Sequence, residues 1–212
     1  MPLSSGLVPY VVLLPVKPPG RGKSRLGDLP RDELATAFAM DTATACLSTP
    51  SVQQVLVVTD DARFAAALSA LGCAAIPDGV SGDLNASLVL AAREAARRWP
   101  DLVPVAMCAD LPCVTAADLE DALTEGPGRH RFVADASGDG TTLYTAPHEA
   151  FVPEFGFRSA ALHQEGGAQP ITGDLLRLRR DVDDAADLVE AIRLGVGAHT
   201  AAVVAGLSSE IT

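Results

Sequence analysis

The sequence predicts an α/β fold, a three-layer sandwich with helices on both faces of a mainly parallel, mixed sheet. Three observations carry that expectation. Short apolar runs rich in β-branched residues recur along the chain. Segments of helical pattern separate them, and polar residues of distinctive chemistry stand directly after them. Such runs suit strands buried on both faces, and their alternation with helices builds a parallel sheet.

Tyr10–Val16 (YVVLLPV) is the first run, and a Pro/Gly/basic loop follows it through Gly27. Arg31–Leu47 reads as a helix with Pro30 near its first turn, where the missing N–H has no helical partner to lose. Gln54–Thr59 is a second buried strand. Ala62–Leu71 is a helix stopped by Gly72, and Cys73–Ile76 a short strand. Asp83 stands where it can cap a long helix over Leu84–Trp99. Val103–Ala109 is a further strand, and Thr115 with Asp118 makes a capping-box pattern for the helix after it. Beyond Arg131 the rhythm changes. Arg131–Ala134 and Thr141–Ala146 read as strands joined by a Gly/Asp-rich turn, Asp184–Leu194 reads as a helix, and the residues after Gly195 read as a short strand or frayed tail. No Ser/Gly-rich linker interrupts the chain. Residues 1–212 are therefore assigned to one domain, with 1–9 a short flexible leader and 131–195 an elaborated half.

Composition excludes several classes. The net charge of −11 argues against nucleic acid as a partner, because phosphate backbones attract basic surfaces. No apolar run approaches the ~20 residues that span a bilayer, so no membrane association is expected. The four cysteines match no zinc template and the four histidines are scattered. Reduced thiols in a cytoplasmic protein are the expectation.

Against that acidic background, Lys17, Arg21, Lys23 and Arg25 crowd the loop after the first strand. Gly22-Lys23-Ser24 imitates the end of a phosphate-binding P-loop, but Lys17 stands where that motif needs a glycine and two prolines follow it. The P-loop reading fails. Position favours another role: ligands of open α/β sheets bind at the carboxyl ends of the strands. There Lys17, Lys23 and Arg25 can neutralise a triphosphate, with backbone N–H groups near Gly20–Ser24 as further donors.

Asp110, in Asp110-Leu111-Pro112, directly follows an apolar strand and suits a hard cation such as magnesium. Asp181-Val182-Asp183 places two carboxylates at strand spacing, roughly 6–7 Å apart. Their repulsion is relieved by a shared cation, while Asp184 is left to cap the next helix. In the segment Asp78–Asn85, glycines including Gly82 permit close backbone approach, and Asn85 offers both a donor and an acceptor to a base or ribose edge. Thr59 ends the second strand at the same rim. On the residues alone, an ordinary strand-to-helix loop is the favoured reading of Asp78–Asn85.

Together, LPVKPPGRGKSRL, VVTDD, the Gly82–Leu88 stretch, ADLP, TTLY and DVDDAADL resemble the CofC/FbiD family of guanylyltransferases, which serve biosynthesis of the deazaflavin coenzyme F420. One departure is visible: the family reads Gly-Leu-Asn, whereas here Asp83 separates Gly82 from Leu84. The resemblance implies a nucleotide-diphospho-sugar transferase (glycosyltransferase type A-like) fold, GTP as donor, and a small phosphorylated carboxylic acid as acceptor. Phosphoenolpyruvate is the favoured acid, with 2-phospho-L-lactate or 3-phosphoglycerate as alternatives. It implies two Mg2+ ions on Asp110, Asp181 and Asp183, and an acceptor site at Thr142, Gly156 and Ser159. Thr59, Asp78, Gly82 and Asn85 would lie at the nucleotide, with Lys17, Lys23, Arg25 and Asp110 at the reacting phosphates. A downstream transferase of coenzyme F420 biosynthesis is the implied partner, and a homodimer is compatible. A non-catalytic nucleotide-binding regulator on the same fold is the competing reading, against which three retained aspartates weigh.

Overall fold

The computed structural model describes residues 8–16, 29–80, 82–126 and 128–209. The expected basic cluster of Lys17, Lys23 and Arg25, and most of the expected leader, lie outside the described residues. Strands β1 (Tyr10–Pro15), β2 (Val52–Val58), β3 (Ala74–Ile76) and β4 (Val103–Met107) alternate with helices α1 (Arg31–Leu47), α2 (Ala62–Ala70) and α3 (Leu84–Arg98). Helix α4 (Ala116–Thr124) leads to the hairpin of β5 (Arg131–Ala134) and β6 (Thr141–Thr145). Helix α5 (Ser159–Glu165), the two-residue strand β7 (Gln169–Pro170) and helices α6 (Leu176–Arg179), α7 (Ala185–Leu194) and α8 (Ala198–Ser209) complete the chain.

The seven strands run in the order β3-β2-β1-β4-β6-β5-β7. β1 is parallel to both β2 and β4, and β2 to β3. β6 is antiparallel to β4 and to β5, so the sheet is mixed. That reversal is what brings the start of β6 to the carboxyl end of β4. The strands are apolar on both faces because both are covered. Val12 and Leu14 pack with α1, α2 and α4 on one side, whereas Val11 and Leu13 pack with α3 and α5 on the other. Each fully buried Val or Leu contributes on the order of 1.5–3 kcal/mol. Among the described residues no helix is long and apolar enough to cross a membrane, and Cys46, Cys73, Cys108 and Cys113 form no disulfide.

The caps follow the sequence closely. Asp83 accepts from Ala86 N, and Thr115 with Asp118 and Asp184 with Asp187 both form complete capping boxes. Two expectations are corrected. Asp181–Asp183 is not a strand and pairs with none among the described residues, and Val182 N bonds instead to the Asp110 carbonyl. The residues after Gly195 form helix α8 rather than a strand or tail. Its cap comes from α1: Asp41 accepts from His199 N at 3.0 Å and Thr200 N at 2.8 Å. Gly197 lies so close to that carboxylate that any Cβ there would overlap it.

Candidate active site

The site begins with the loop after β4. Thr42 on α1 donates to Phe38 O at 2.8 Å and accepts from Leu111 N at 3.2 Å, with Ala109 O 3.3 Å away, which fixes the backbone beside Asp110. Gly197 N donates to Pro112 O at 2.8 Å, and Val182 N donates to Asp110 O at 3.1 Å. Leu111 and Val182 are fully buried, Leu111 in the core beside the sheet and Val182 against Leu34 and Phe38 of α1. The loop is thus bonded to α1, to the approach to α8 and to the Asp181–Asp183 segment, and Asp110 is left on the rim of the sheet.

The bond from Val182 draws three aspartates together. Burial, foremost, and then the charges of Asp110, Asp183 and Asp135 push the Asp181 carboxyl up to about 7. Arg179 and Arg180 adjoin in sequence but are bonded elsewhere. Arg179 donates to the Ala134 and Ile171 carbonyls, both at 2.9 Å, and Arg180 to Asp187 at 3.1 Å. Asp135 was not singled out from the sequence. It sits in the β5–β6 turn and accepts from Ser137 Oγ, Gly138 N and Gly140 N at 2.7–2.9 Å. Asp-x-Ser-Gly at a predicted hairpin is the local signal of such a turn. Its proximity to Asp181 comes only from the fold.

A cluster of hard oxygen ligands that repel one another has the chemistry a divalent cation requires. Among the described residues, no group of three or more His, Cys, Asp or Glu side chains is arranged to hold a metal ion by itself. Magnesium needs none, because it keeps several waters and takes one or two carboxylates together with substrate phosphates. The donor set fits magnesium or manganese and does not resemble a zinc site.

Thr142 is on the strand that pairs with the end of β4. It follows the first residue of β6, and its carbonyl accepts from Cys108 N at 2.9 Å. Its hydroxyl is buried with no hydrogen-bond partner among the described residues, a condition that a ligand oxygen would relieve. Gly156 and Ser159 are on the segment leading into α5. Gly156 adopts φ +127° with open space where a side chain would be, and its carbonyl accepts from Ser159 N at 3.2 Å. Arg158 between them is left-handed at φ 57°.

The expected nucleotide-side residues stand at the ends of β2 and β3 and the start of α3. Thr59 is buried and its hydroxyl accepts from Asp61 N at 3.2 Å. The Asp78 carboxylate accepts from the Ser87 hydroxyl, and Asp78 N donates to Asp60 at 3.0 Å. Gly82 takes φ +87° beside Asp83. Asn85 is used differently from its sequence reading. Its amide donates to Phe155 O at 3.0 Å and accepts from Phe155 N at 2.8 Å. It therefore staples α3 to the residue before Gly156. A cavity of about 450 Å³ lined by His130, Ala150, Val152, Glu154, Leu162, His163 and Gly166 includes none of the site's carboxylates.

The architecture and the sequence have clear relatives. Phosphoenolpyruvate guanylyltransferase of Streptomyces coelicolor is 42% identical over 205 residues, covering 93% of this chain and 97% of its own. The protein of that name from Thermomonospora curvata is 44% identical over 202 residues, covering 92% and 89%. Among solved structures, a 4-diphosphocytidyl-2C-methyl-D-erythritol synthase superposes with a TM-score of 0.59 at 11% identity over 88% of this chain and 97% of the other. Rv0371c of Mycobacterium tuberculosis, solved with manganese, superposes at 0.51 with 20% identity over 88% and 99%. At such low identity these two structures speak to fold alone, that of the nucleotide-diphospho-sugar transferases. The profile of the family described as guanylyl transferase CofC like matches residues 10–211, and this chain belongs to that family.

Proposed function

We propose that this protein transfers GMP from GTP to phosphoenolpyruvate, forming enolpyruvyl-diphospho-guanosine and releasing pyrophosphate, as a step of coenzyme F420 biosynthesis. One observation carries the reading: Asp110, Asp181 and Asp183 gather at the carboxyl end of β4, and the strand paired with that end carries the buried Thr142 hydroxyl, which has no partner among the described residues. The choice of acid follows the names of the relatives. Both reactants and product are small soluble anions, and the protein is assigned to the cytoplasm.

The chemistry follows from charge. The acceptor phosphate is ionised at neutral pH, so its oxygen attacks the α-phosphorus of GTP without a protein base. The bond between that phosphorus and the bridging oxygen to the β-phosphate breaks, and pyrophosphate leaves in line. The obstacle is the approach of one anion to another and the charge gathering on the leaving group. Thr142, with Gly156 and Ser159, orients the acceptor, and Lys17, Lys23 and Arg25 are assigned to the triphosphate. Asp110, Asp181 and Asp183 would hold the divalent cation, which supplies positive charge between the phosphates when bound. Residues 131–195 form the acceptor half in this scheme.

The test is GMP transfer from GTP to phosphoenolpyruvate, 2-phospho-L-lactate and 3-phosphoglycerate in parallel, followed by mass detection of the diphosphate product. A product only with phosphoenolpyruvate is expected. Transfer to another acid alone corrects the acceptor, and absence of transfer to all three overturns the reading.

A further inference from the structure

We infer that His163 is the positioning residue of the acceptor side, a single imidazole that bridges strand β6 to the loop before Gly156. The inference rests on the function proposed above. His163 is 1% exposed. Glu154 N donates to its Nε2 at 2.9 Å. A backbone N–H can only donate, so Nε2 carries the lone pair and the proton is on Nδ1. That Nδ1–H then faces Thr141 Oγ1, 3.0 Å away, and the backbone of Ser159 one turn earlier on α5. One neutral ring in one tautomer therefore serves both partners, and the opposite tautomer would set two donors against each other at Glu154.

What the bridge joins is the reason to assign it a role beyond packing. Thr141 precedes Thr142 on β6, Glu154 is two residues before Gly156, and Ser159 is one helical turn before His163 on α5. All three acceptor residues are thus one or two residues, or one turn, from an atom that this ring holds. The ring itself has little freedom. It stacks on Tyr144 at 4.4 Å and 20°, lies 5.8 Å from Phe132 and meets Phe155 edge-on at 5.5 Å. Phe155 is in turn held by the Asn85 amide, and Ala160 N donates to Asp139 O at 3.1 Å. A displacement of about 1 Å at such a supporting group can cost 10²-fold in turnover.

The experiment starts from Thr141→Val, which removes one end of the bridge with little change of volume, and Thr141→Ser, which keeps the hydroxyl. His163→Phe is the companion variant, although it leaves the Glu154 N–H without its acceptor and so threatens folding. Steady-state kinetics are measured for both substrates, with amide hydrogen exchange at Glu154 as a readout independent of turnover. Thr141→Val is expected to raise KM for the acid about ten-fold while KM for GTP stays within about two-fold, with faster exchange at Glu154. Thr141→Ser is expected to restore both. An unchanged KM for the acid in folded Thr141→Val, or equal changes for the two substrates, overturns the positioning role. Wild-type protein that transfers GMP to none of the three acids overturns the proposed function instead, a result the kinetics of the variants do not imitate.

Discussion

The amide of Val182 donates to the carbonyl of Asp110 across 3.1 Å, joining residues 72 positions apart. With Val182 fully buried beneath it, the bond places Asp181 and Asp183 next to Asp110 and makes one acidic site of two separate sequence motifs. The segment is not a strand. The carboxylates therefore meet through loop-to-loop bonding, and among the described residues no sheet ladder takes part.

Asp183→Asn should keep the fold and lose most turnover. Asp183 is exposed on this rim and adds to the charge that raises Asp181, while the amide is nearly isosteric with the carboxylate. Turnover should likewise vanish in excess EDTA and return with magnesium or manganese. Wild-type kinetics in Asp183→Asn would remove that residue from the site, and full turnover in EDTA would remove the cation.

Asp181→Asn should stabilise the metal-free protein while destroying activity. The Asp181 carboxyl is held up at about 7, by burial first and then by its neighbours' charge. The folded state thus binds a proton that the unfolded state releases near pH 4. Between those values the native form carries more protons, so wild-type stability falls as pH rises. Asparagine does not titrate. Its Tm advantage over wild type should be small at pH 4.5 and grow up to pH 8, by about 2–4 °C for each kcal/mol relieved. His163, pushed down to about 4 chiefly by burial, acts in the opposite sense over nearly the same window. It is common to both proteins and drops out of the difference. A Tm difference that does not change with pH would contradict the electrostatic account.

Lys23→Ala and Ser159→Ala should divide the two substrates. Lys23 is assigned to the triphosphate, so its loss should lower kcat/KM for GTP by on the order of 2–4 kcal/mol of transition-state stabilisation. Ser159 is buried at the start of α5 beside Gly156, and its loss should raise KM for the acid with GTP parameters little changed. A neutral Lys23→Ala would return the basic loop to the status of a solvated surface.

Asp41→Ala should loosen α8 from the body of the protein. Two backbone donors of that helix lose their acceptor, at a cost of roughly 1–2 kcal/mol for a cap. The measurement is Tm together with hydrogen exchange at His199 and Thr200. Protection there as strong as in wild type would show that packing alone holds the helix.

The sequence determined by itself whatever depends on neighbours along the chain. Alternation of apolar runs with helical patterns identified β1 to β4 and their helices, and Asp83, Thr115 and Asp184 were legible as caps because a cap bonds two or three residues ahead. Asp110 was legible as a rim residue because it follows a buried strand. The tertiary structure decided whatever depends on partners far away. α8 was missed because its capping acceptor, Asp41, is more than 150 residues upstream. Asp135 joined the acidic cluster only once β6 ran antiparallel to β4 and brought the β5–β6 turn to the rim. Asn85 was read as a ligand to a base because its amide is polar on a loop, whereas its partner is the backbone of Phe155, 70 residues on. Hydrogen-bonding capacity belongs to the residue type. The partner that uses it belongs to the fold, because burial makes an unused donor or acceptor costly and packing alone decides which groups are near enough to satisfy it.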